Sequence, residues 1–178
     1  MKRQFTPARL DVRAFAEDGA ALSGHGRVGD FTRLAGEAAG RGNERPLAWS
    51  AEGELRNPHH VHPEVWLHLK ADTVLPMTCQ RCLEPVDVPL AVDRSFRFVA
   101  DEETAAAEDD EAEEDLLAIS RTFDLPGLVE DELLMEVPVV PRHDVCPTSV
   151  RLSAEDPDFE AARPENPFAR LKVLKDGG

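Results

Sequence analysis

The sequence has little of what secreted and membrane proteins need. Only three of its 178 residues are cysteine, and two of them lie close together in the segment CQRC, so the even, dispersed set of a disulfide-linked secreted scaffold is missing. No apolar run approaches the roughly 18 residues of a membrane-spanning helix. The N-terminal stretch has basic residues but neither an apolar run nor a cleavage site of small residues. These absences predict a protein of the reducing cytoplasm without membrane contact.

Tyrosine is absent, and basic residues are scarce relative to acidic ones. The chain has 20 Lys and Arg against 35 Asp and Glu, which gives a net charge of −15. Because proteins bind nucleic-acid phosphates through lysine and arginine, this balance argues against a broad RNA-binding surface. The GxSxG and P-loop motifs are also absent. We therefore expect a protein that is not an enzyme and has no small-molecule substrate.

Most of the negative charge lies in one segment of the chain. Residues 1–50 carry eight Lys and Arg against six Asp and Glu, whereas residues 101–136 carry fifteen Asp and Glu against one Arg. Blocks of like charge repel each other and usually stay solvated, so we interpret residues 101–115 as an acidic surface loop without fixed structure. The alternative is that this block contacts a basic partner protein.

Alternating apolar and polar residues predict three strands in the middle of the chain. The apolar side chains fall mainly on odd positions from 46 to 56 and from 65 to 75, and on even positions from 86 to 98. Pro89 lacks a backbone donor and therefore predicts an edge position or a bulge in the third strand. Residues 117–123 can form a fourth short strand. Short connections between such segments favour an antiparallel sheet with one packed face and one hydrated face.

Capping residues and prolines mark three helices. A Thr-Pro pair predicts a short helix over about residues 7–17, and Asp30 can cap a second short helix. Asp124 can cap an amphipathic helix over about residues 125–137, in which apolar side chains recur every four positions. Pro138 should end this helix, since proline cannot donate the next backbone hydrogen bond.

These elements predict an α+β fold. A chain of 178 residues is short for two independent cores, so we expect a single domain over residues 1–178. Its sheet would be antiparallel with three or four strands, packed by the one amphipathic helix and preceded by the short N-terminal helices. The acidic loop would project from this body, and residues 147–178, which contain four prolines, would form an extended tail.

The pattern with the most chemical information is CQRC together with HDVC. Cys79 and Cys82 from one tight turn, with His143 and Cys146 from another, would give the tetrahedral Cys3His set that structural zinc prefers. Sixty residues separate the two pairs, so the fold must bring both turns together to close the site. Two alternatives remain open. One is a dithiol redox pair, which normally lies at a helix N-terminus, and the other is a turn whose thiols are small buried apolar groups.

Two groups of arginine are possible RNA contacts. Arg3, Arg9 and Arg13 belong to the basic N-terminal portion, whereas Arg94 and Arg97 lie on the third predicted strand. A chain with this net charge can hold RNA only where it presents a local basic surface. These five side chains are therefore the hypothetical RNA contact.

Two further clusters of polar residues have simpler interpretations. The histidines of the segment HHVH, residues 59–62, lack carboxylate or thiol neighbours at ligand spacing, which is typical of an exposed polar turn. Glu130, Asp131 and Glu132 are consecutive on the predicted helix and therefore point in different directions. This arrangement favours a solvated helix face over an acid–base pair.

Three blocks of the sequence resemble the YceD family, whose members act in the accumulation of large ribosomal RNA. The blocks are CQRCLEPV, VEDELLMEVPVVPRHDVC and NPFARLKVLK, in the family's order, whereas residues 1–45 are only loosely similar. The resemblance implies no catalytic role for any of the matching positions. These positions are Cys79, Arg81, Cys82, Pro85, Glu130, Asp131, Glu132, Pro138, Pro141, His143 and Cys146.

The resemblance implies a factor of ribosome biogenesis that supports the synthesis, processing or stability of 23S rRNA. Its partner would be a precursor of the large subunit, either the 23S rRNA or the basic ribosomal proteins. Two alternatives come from other classes of protein. One is an interaction module that binds basic ribosomal proteins and never touches RNA, and the other is a sensor based on zinc or thiols.

Overall fold

A five-stranded sheet forms the centre of the molecule, and the computed structural model describes residues 3–149. The strands lie side by side in sequence order; the first four are antiparallel, and the fifth is parallel to the fourth. The α+β fold is thus confirmed, and the predicted antiparallel arrangement holds for the first four strands. The expected number of three or four strands is wrong, because a fifth strand adds a parallel pair at one edge. The strands are β1 (Ala21–Arg27), β2 (Pro46–Arg56), β3 (Glu64–Thr78), β4 (Pro85–Val99) and β5 (Asp115–Ala118).

The two outer strands lack the alternation that marks the other three. β1 has the sequence ALSGHGR, and β5 consists of the four residues DLLA. β1 nevertheless pairs with β2 along its whole length, and β5 pairs with Phe96–Val99 of β4. Pairing with a neighbouring strand can decide whether a short segment is extended, whatever its own pattern. The sequence pattern therefore predicts β2, β3 and β4 but not β1. The fourth strand that it predicts, at residues 117–123, overlaps only the end of β5.

The alternation in the three central strands is confirmed. In β3, Leu67, Leu69 and Leu75 are fully buried, whereas Lys70 and Asp72 are exposed. Successive side chains of a strand point to opposite faces, so the leucines lie on the face that the helices cover. The hydrophobic core thus lies between this face and the helices, and the other face is largely polar.

Pro89 lies at an edge of the sheet, as predicted. It pairs with Val74 of β3 on one side. On the other side, β5 covers only Phe96–Val99, and no strand in the described part of the chain pairs with β4 before that point. A proline is tolerated there because its missing N–H would face no partner.

The predicted N-terminal helix at residues 7–17 is interrupted. Leu10 leaves the helical path to form a backbone bridge with Phe123, which ends a first 3₁₀ turn. Asp11 then caps a new helix by accepting a hydrogen bond from the N–H of Ala14 at 3.0 Å. The helices are α1 (Val12–Glu17), α2 (Thr32–Glu37), α3 (Glu102–Glu108) and α4 (Leu125–Met135), with 3₁₀ turns at Pro7–Arg9 and Val28–Asp30.

The amphipathic helix occurs as α4, close to its predicted bounds. Asp124 caps it by accepting a hydrogen bond from the N–H of Gly127 at 3.2 Å. Leu125, Val129 and Leu133 are fully buried, as their spacing of four residues predicts. The chain leaves the helix after Met135 and enters the segment that carries the second half of the Cys/His pattern.

The acidic segment is folded, so the expectation of a loop without fixed structure is wrong. Asp101 caps α3 by accepting a hydrogen bond from the N–H of Thr104 at 2.8 Å, and the segment then enters β5. Arg97 of β4 forms ion pairs with Glu108 and Glu114, which offsets repulsion within the acidic segment. Acidic side chains thus meet arginines on a neighbouring strand, which a count of charge along the chain does not show.

Helix α1 lies directly against β2 at Gly53. A Cβ atom at this position would lie 2.7 Å from the ring of Phe15 and 2.9 Å from the backbone of Ala16. Glycine is therefore required for this close approach of helix and strand. None of the helices within residues 3–149 is long and apolar enough to cross a membrane.

Candidate metal centre

The turn after β3 and the segment after α4 meet in space, as the sequence pattern requires for a metal site. The ligating atoms of Cys79, Cys82, His143 and Cys146 all lie within 4.8 Å of one another. The Sγ atom of Cys82 is 3.4 Å from Nδ1 of His143, and the Sγ atoms of Cys79 and Cys146 are 3.9 Å apart. Four donors are thus gathered around one small volume.

The first pair of cysteines lies in a tight backbone turn. The N–H of Cys79 donates to the carbonyl of Glu84, and the N–H of Leu83 donates to the carbonyl of Cys79, each at 2.9 Å. Leu83 has a φ of 63°, in the left-handed region that closes such turns. This conformation directs both thiols of the pair towards the same side.

The surroundings of Cys79 favour its thiolate form. Burial alone would raise the pKa of this thiol, but the backbone N–H groups of Cys82, His143 and Arg81 point at its sulfur and lower the pKa to about 5. The pKa of Cys82 is instead raised, by burial and by the neighbouring thiols of Cys146 and Cys79. Several thiols in one volume cannot all ionise easily unless a cation shares it.

Arg81 provides positive charge beside the thiols and also joins the two turns. Its Nε donates to Sγ of Cys146 at 3.0 Å, and its terminal nitrogen donates to the carbonyl of His143 at 2.7 Å. The contact with Cys146 is also the main reason why the pKa of the Arg81 guanidinium is raised. A second link comes from the backbone, where the N–H of Gln80 donates to the carbonyl of Pro141 at 2.9 Å.

The imidazole of His143 is oriented by a residue of the first turn. Its Nε2 is 2.9 Å from the carbonyl oxygen of Pro85, an acceptor, so Nε2 carries the proton. Nδ1 is then the nitrogen with a free lone pair, and it is the atom that faces Cys82. Metal-binding histidines are commonly fixed in this way by a hydrogen bond from the other ring nitrogen.

These donors fit a structural zinc ion. Three sulfurs and one imidazole nitrogen form one of the closed four-ligand sets of structural zinc, which leaves no position for a substrate or water. Arg81 offsets the excess negative charge that three thiolates would place around a divalent ion. A redox dithiol fits less well, because Cys79 ends a strand and lies in a turn, not at the N-terminus of a helix.

The three acidic residues of the family pattern tie α4 to its neighbours. Glu130 is buried, and its Oε1 accepts hydrogen bonds from the N–H groups of Arg33 at 2.7 Å and Leu34 at 3.2 Å. Its other oxygen pairs with the Arg33 side chain, which also contacts Asp131. Glu130 and Asp131 therefore fix α2 against α4, and the expected solvated helix face is wrong for Glu130.

Glu132 lies in a different environment on the same helix. Burial raises the pKa of its carboxyl group, and the charge of Arg94 opposes that shift. Its Oε2 is buried and accepts no hydrogen bond within residues 3–149, although Nε of Arg94 is 3.5 Å away. The pair has electrostatic attraction without hydrogen-bond geometry.

The arginines predicted to contact RNA fall into two groups. Arg94 and Arg97 are ion-paired with acidic residues of the segment from Glu108 to Asp115, and Arg3 pairs with Glu17 and Asp18. Arg9 and Arg13 are exposed, and within residues 3–149 neither forms an ion pair. Arg9 and Arg13 thus keep their charge unneutralised, whereas Arg3, Arg94 and Arg97 do not.

The histidines of residues 59–62 lie in the exposed connection between β2 and β3. The metal-capable cluster found among residues 3–149 does not include them.

Another pattern with a known chemical meaning is GHGRVG, residues 24–29, which has the GxGxxG spacing of dinucleotide-binding loops. Here it ends the antiparallel edge strand β1 and enters a 3₁₀ turn, whereas that function requires a parallel strand followed by a helix.

The fold and the site define a small α+β protein in which two turns bring three cysteines and one histidine into a single cluster that could hold a metal ion. The chain belongs to the YceD family: the family model described as large ribosomal RNA subunit accumulation protein YceD matches residues 67–175. A protein of that name from Haemophilus influenzae is 32% identical over 132 residues, which cover 70% of this chain and 75% of the relative. No solved structure matches the chain.

Family membership gives the site a context. The matched region contains both turns of the Cys/His cluster together with α4. The family is named for the accumulation of a ribosomal RNA and not for a reaction that it catalyses. Sequence reasoning identified all four donors, but it gave no role to Arg81 or to the carbonyl of Pro85. The position of Arg81 between the two cysteines was the available signal.

Proposed function

We propose that this protein is a non-enzymatic factor of ribosome biogenesis in the cytoplasm, and that it supports the synthesis, processing or stability of 23S rRNA. The observation that carries the proposal is membership of a family named for the accumulation of large-subunit ribosomal RNA, through a match that includes the whole Cys/His cluster. A closed set of four donors, which leaves no position for a substrate, supports a role in binding.

We propose further that Cys79, Cys82, His143 and Cys146 hold one structural zinc ion. The four ligating atoms are already within 4.8 Å of one another, and both Arg81 and the Pro85 carbonyl orient members of the set. The ion would fasten the segment after α4 to the turn after β3. It would therefore stabilise one surface of the molecule without entering any reaction.

The functional proposal is tested in cells that lack the gene for this protein. We expect a lower ratio of 23S to 16S rRNA and an accumulation of large-subunit precursors, both corrected by the wild-type chain. In sedimentation of a cell extract, the protein should migrate with those precursors. An unchanged rRNA ratio, together with a protein that sediments only as a free chain, would reject the proposal.

Direct contact with RNA is proposed at the N-terminal arginines. Arg9 and Arg13 are exposed and have no ion-pair partner within residues 3–149. Arg3 pairs with Glu17 and Asp18 of the α1 region, but its side chain remains 52% exposed and completes the N-terminal group. Arg94 and Arg97 are less suited because carboxylates already neutralise them. The triple change of Arg3, Arg9 and Arg13 to Glu should abolish salt-dependent binding to a 23S rRNA fragment. Arg27→Glu, on the exposed end of β1, is the control, and equal binding by both variants would contradict this contact.

A further inference from the structure

Exposed aliphatic side chains are concentrated around the Cys/His cluster. Within residues 3–149, six large hydrophobic residues are exposed. Four of them lie in the two segments that the cluster joins, and Met135 is the last residue of α4, just before the second segment. Val61, the sixth, lies in the connection between β2 and β3. Single exposed apolar residues are common, but a local group of them marks an interaction surface. We call the five residues the aliphatic rim; they are Leu83, Met135, Val139, Val140 and Val145.

Leu83 is unfavourable in the free protein for two separate reasons. Its φ of 63° is an uncommon conformation for a residue with a bulky side chain, and glycine or asparagine adopts it more easily. Its side chain is also 74% exposed, so the leucine gains little by burial in this chain. Strained residues are often found at binding sites. A leucine at this position is favourable if a partner covers it.

The Cys/His cluster holds the rim in one arrangement. Leu83 directly follows Cys82, and Val145 directly precedes Cys146, so both are fixed by the ligands beside them. Between the start of β4 and the segment from Pro138 to Val145 lies a groove of about 910 Å³. Val140 and Val145 of the rim line this groove together with charged residues such as Asp144, and a pre-formed groove reduces the entropy that binding would otherwise cost.

The charges next to the rim are mainly negative. Glu84, Glu136 and Asp144 are each exposed and each adjacent in sequence to a rim residue, and none has an ion-pair partner within residues 3–149. Arg81 is engaged with Cys146 and with two backbone carbonyls, which leaves Arg142 as the cation of the segment. Apolar contacts flanked by carboxylates match a partner segment that is both apolar and basic.

The chemistry of the rim points to a protein and not to RNA. Recognition of unpaired bases normally uses aromatic side chains for stacking, and all five rim residues are aliphatic. Carboxylates beside the rim would repel phosphates. The net charge of −15 has the opposite effect on a basic protein, because it attracts such a partner over a distance.

We propose that the aliphatic rim and its three carboxylates bind an apolar and basic segment of a protein of the large ribosomal subunit. This inference rests on the proposed function and names the partner class and the surface that would serve it. Ribosomal proteins carry basic surfaces that are neutralised only once they are bound to rRNA. An acidic chain that holds aliphatic side chains along a fixed groove can cover such a segment until the RNA takes its place.

The experiment compares two full-length variants that place a carboxylate at exposed valines. Val139→Asp with Val145→Asp alters the rim, and Val61→Asp is the matched control outside it. All three positions are at least 84% exposed, so we expect both variants to melt at the wild-type temperature. The probes are the proteins extracted from purified large ribosomal subunits, separated and tested one at a time by fluorescence anisotropy.

We expect at least one basic subunit protein to bind the wild-type chain and the Val61→Asp control with equal affinity, and the rim variant at least tenfold more weakly. The affinity should fall as salt is raised. Absence of any such binding by the wild-type chain, or equal binding by all three chains, would overturn the proposal. Binding lost only on addition of 23S rRNA would agree with it.

Other occupants of the rim give different results. If a second copy of the chain covers the rim, the wild-type protein should form a concentration-dependent dimer and the rim variant should be monomeric. If residues 168–175 of the same chain cover it, Val139–Val145 should be protected from hydrogen exchange, and the Leu171→Asp variant should lose that protection. Either result, without binding of a subunit protein, would overturn the partner named here. In cells lacking the gene, restoration of the 23S rRNA level by the rim variant as fully as by the wild-type chain would reject the role of the rim but not the proposed function. An rRNA ratio that the deletion leaves unchanged would reject the proposed function itself.

Discussion

Each donor of the Cys/His cluster depends on groups that are not donors themselves. Arg81 bonds to a cysteine sulfur and to backbone carbonyls of the opposite turn, and the Pro85 carbonyl fixes the ring of His143. Such groups lower the freedom of the ligands before a metal binds. Single substitutions around the cluster can therefore weaken a metal site without removing a ligand.

Arg81→Ala should weaken zinc binding about 10- to 100-fold, the range typical of lost supporting contacts at metal sites. The alanine leaves the Cys146 sulfur without its positive neighbour and removes the link to the His143 carbonyl. The affinity can be measured by competition with a colorimetric zinc chelator. Arg142→Ala, in the segment after α4 and next to His143, should leave the zinc affinity unchanged. Equal losses of affinity in both variants would contradict a specific role for Arg81.

Glu132 should make the stability of the protein fall with rising pH. Burial raises the pKa of its carboxyl group, so between the unfolded and the folded pKa values the native state binds more protons than the unfolded chain does. The free energy of unfolding then decreases as the pH rises through that window. Glu132→Gln should raise the free energy of unfolding at pH 7 and reduce this slope in urea titrations. Glu136→Gln serves as the exposed control, and an equal gain there would contradict the assignment.

At the scale of whole elements, α2 and α4 are joined by a carboxylate that acts as a cap. Phe31 precedes α2 and provides no side-chain cap, so the first N–H groups of this helix need another acceptor. Glu130 supplies it from α4, 96 and 97 positions further along the chain. The contact replaces a local cap by a tertiary one.

Glu130→Ala should lower the free energy of unfolding by about 2–3 kcal/mol, because the N–H groups of Arg33 and Leu34 would lose their acceptor. Asp131→Ala removes an exposed ion pair with the same arginine and should cost less than about 1 kcal/mol. Urea unfolding of both variants gives the comparison. Equal losses of unfolding free energy would show that the hydrogen bonds from the backbone to Glu130 add no more stability than the exposed ion pair of Asp131.

The sequence predicts those elements whose stabilising pattern is local. β3 and α4 carry their own periodicity, so their bounds are close to the predicted ones. β1 depends on pairing with β2, and α3 depends on Arg97 as well as on its own Asp101 cap. Such contacts link residues that are distant in sequence. The four members of the Cys/His cluster were predictable because their residue types are chemically distinctive, whereas the orienting arginine and carbonyl belong to types that occur everywhere.

For the molecule as a whole, the Cys/His cluster joins the middle of the chain to the segment that follows its last described helix. The sheet buries its leucines without help from this cluster, because α1 and α4 already cover that face. Loss of the proposed zinc ion should therefore release the segment from Pro138 to Cys146 while the sheet remains folded. The aliphatic rim would lose its fixed arrangement at the same time.

The purified protein should contain about one zinc per chain by elemental analysis, as a single four-donor site requires. A strong chelator, or the pair Cys79→Ser and Cys82→Ser, should lower the melting temperature by roughly 5–10 °C, the shift that a loss of about 2–3 kcal/mol gives in a chain of this size. Far-UV circular dichroism should remain that of a folded sheet. Absence of zinc, together with an unchanged melting temperature of the double variant, would reject the metal centre.

The separation of the two cysteine turns along the chain also affects the order of events during synthesis. Cys82 leaves the translating ribosome 61 residues before His143, so β4, β5 and α4 are made between the two halves of the ligand set. Neither half alone offers four donors to an ion. The newly made protein must therefore bring its strands and α4 together first, and capture of the proposed zinc ion would be a late check that this has happened.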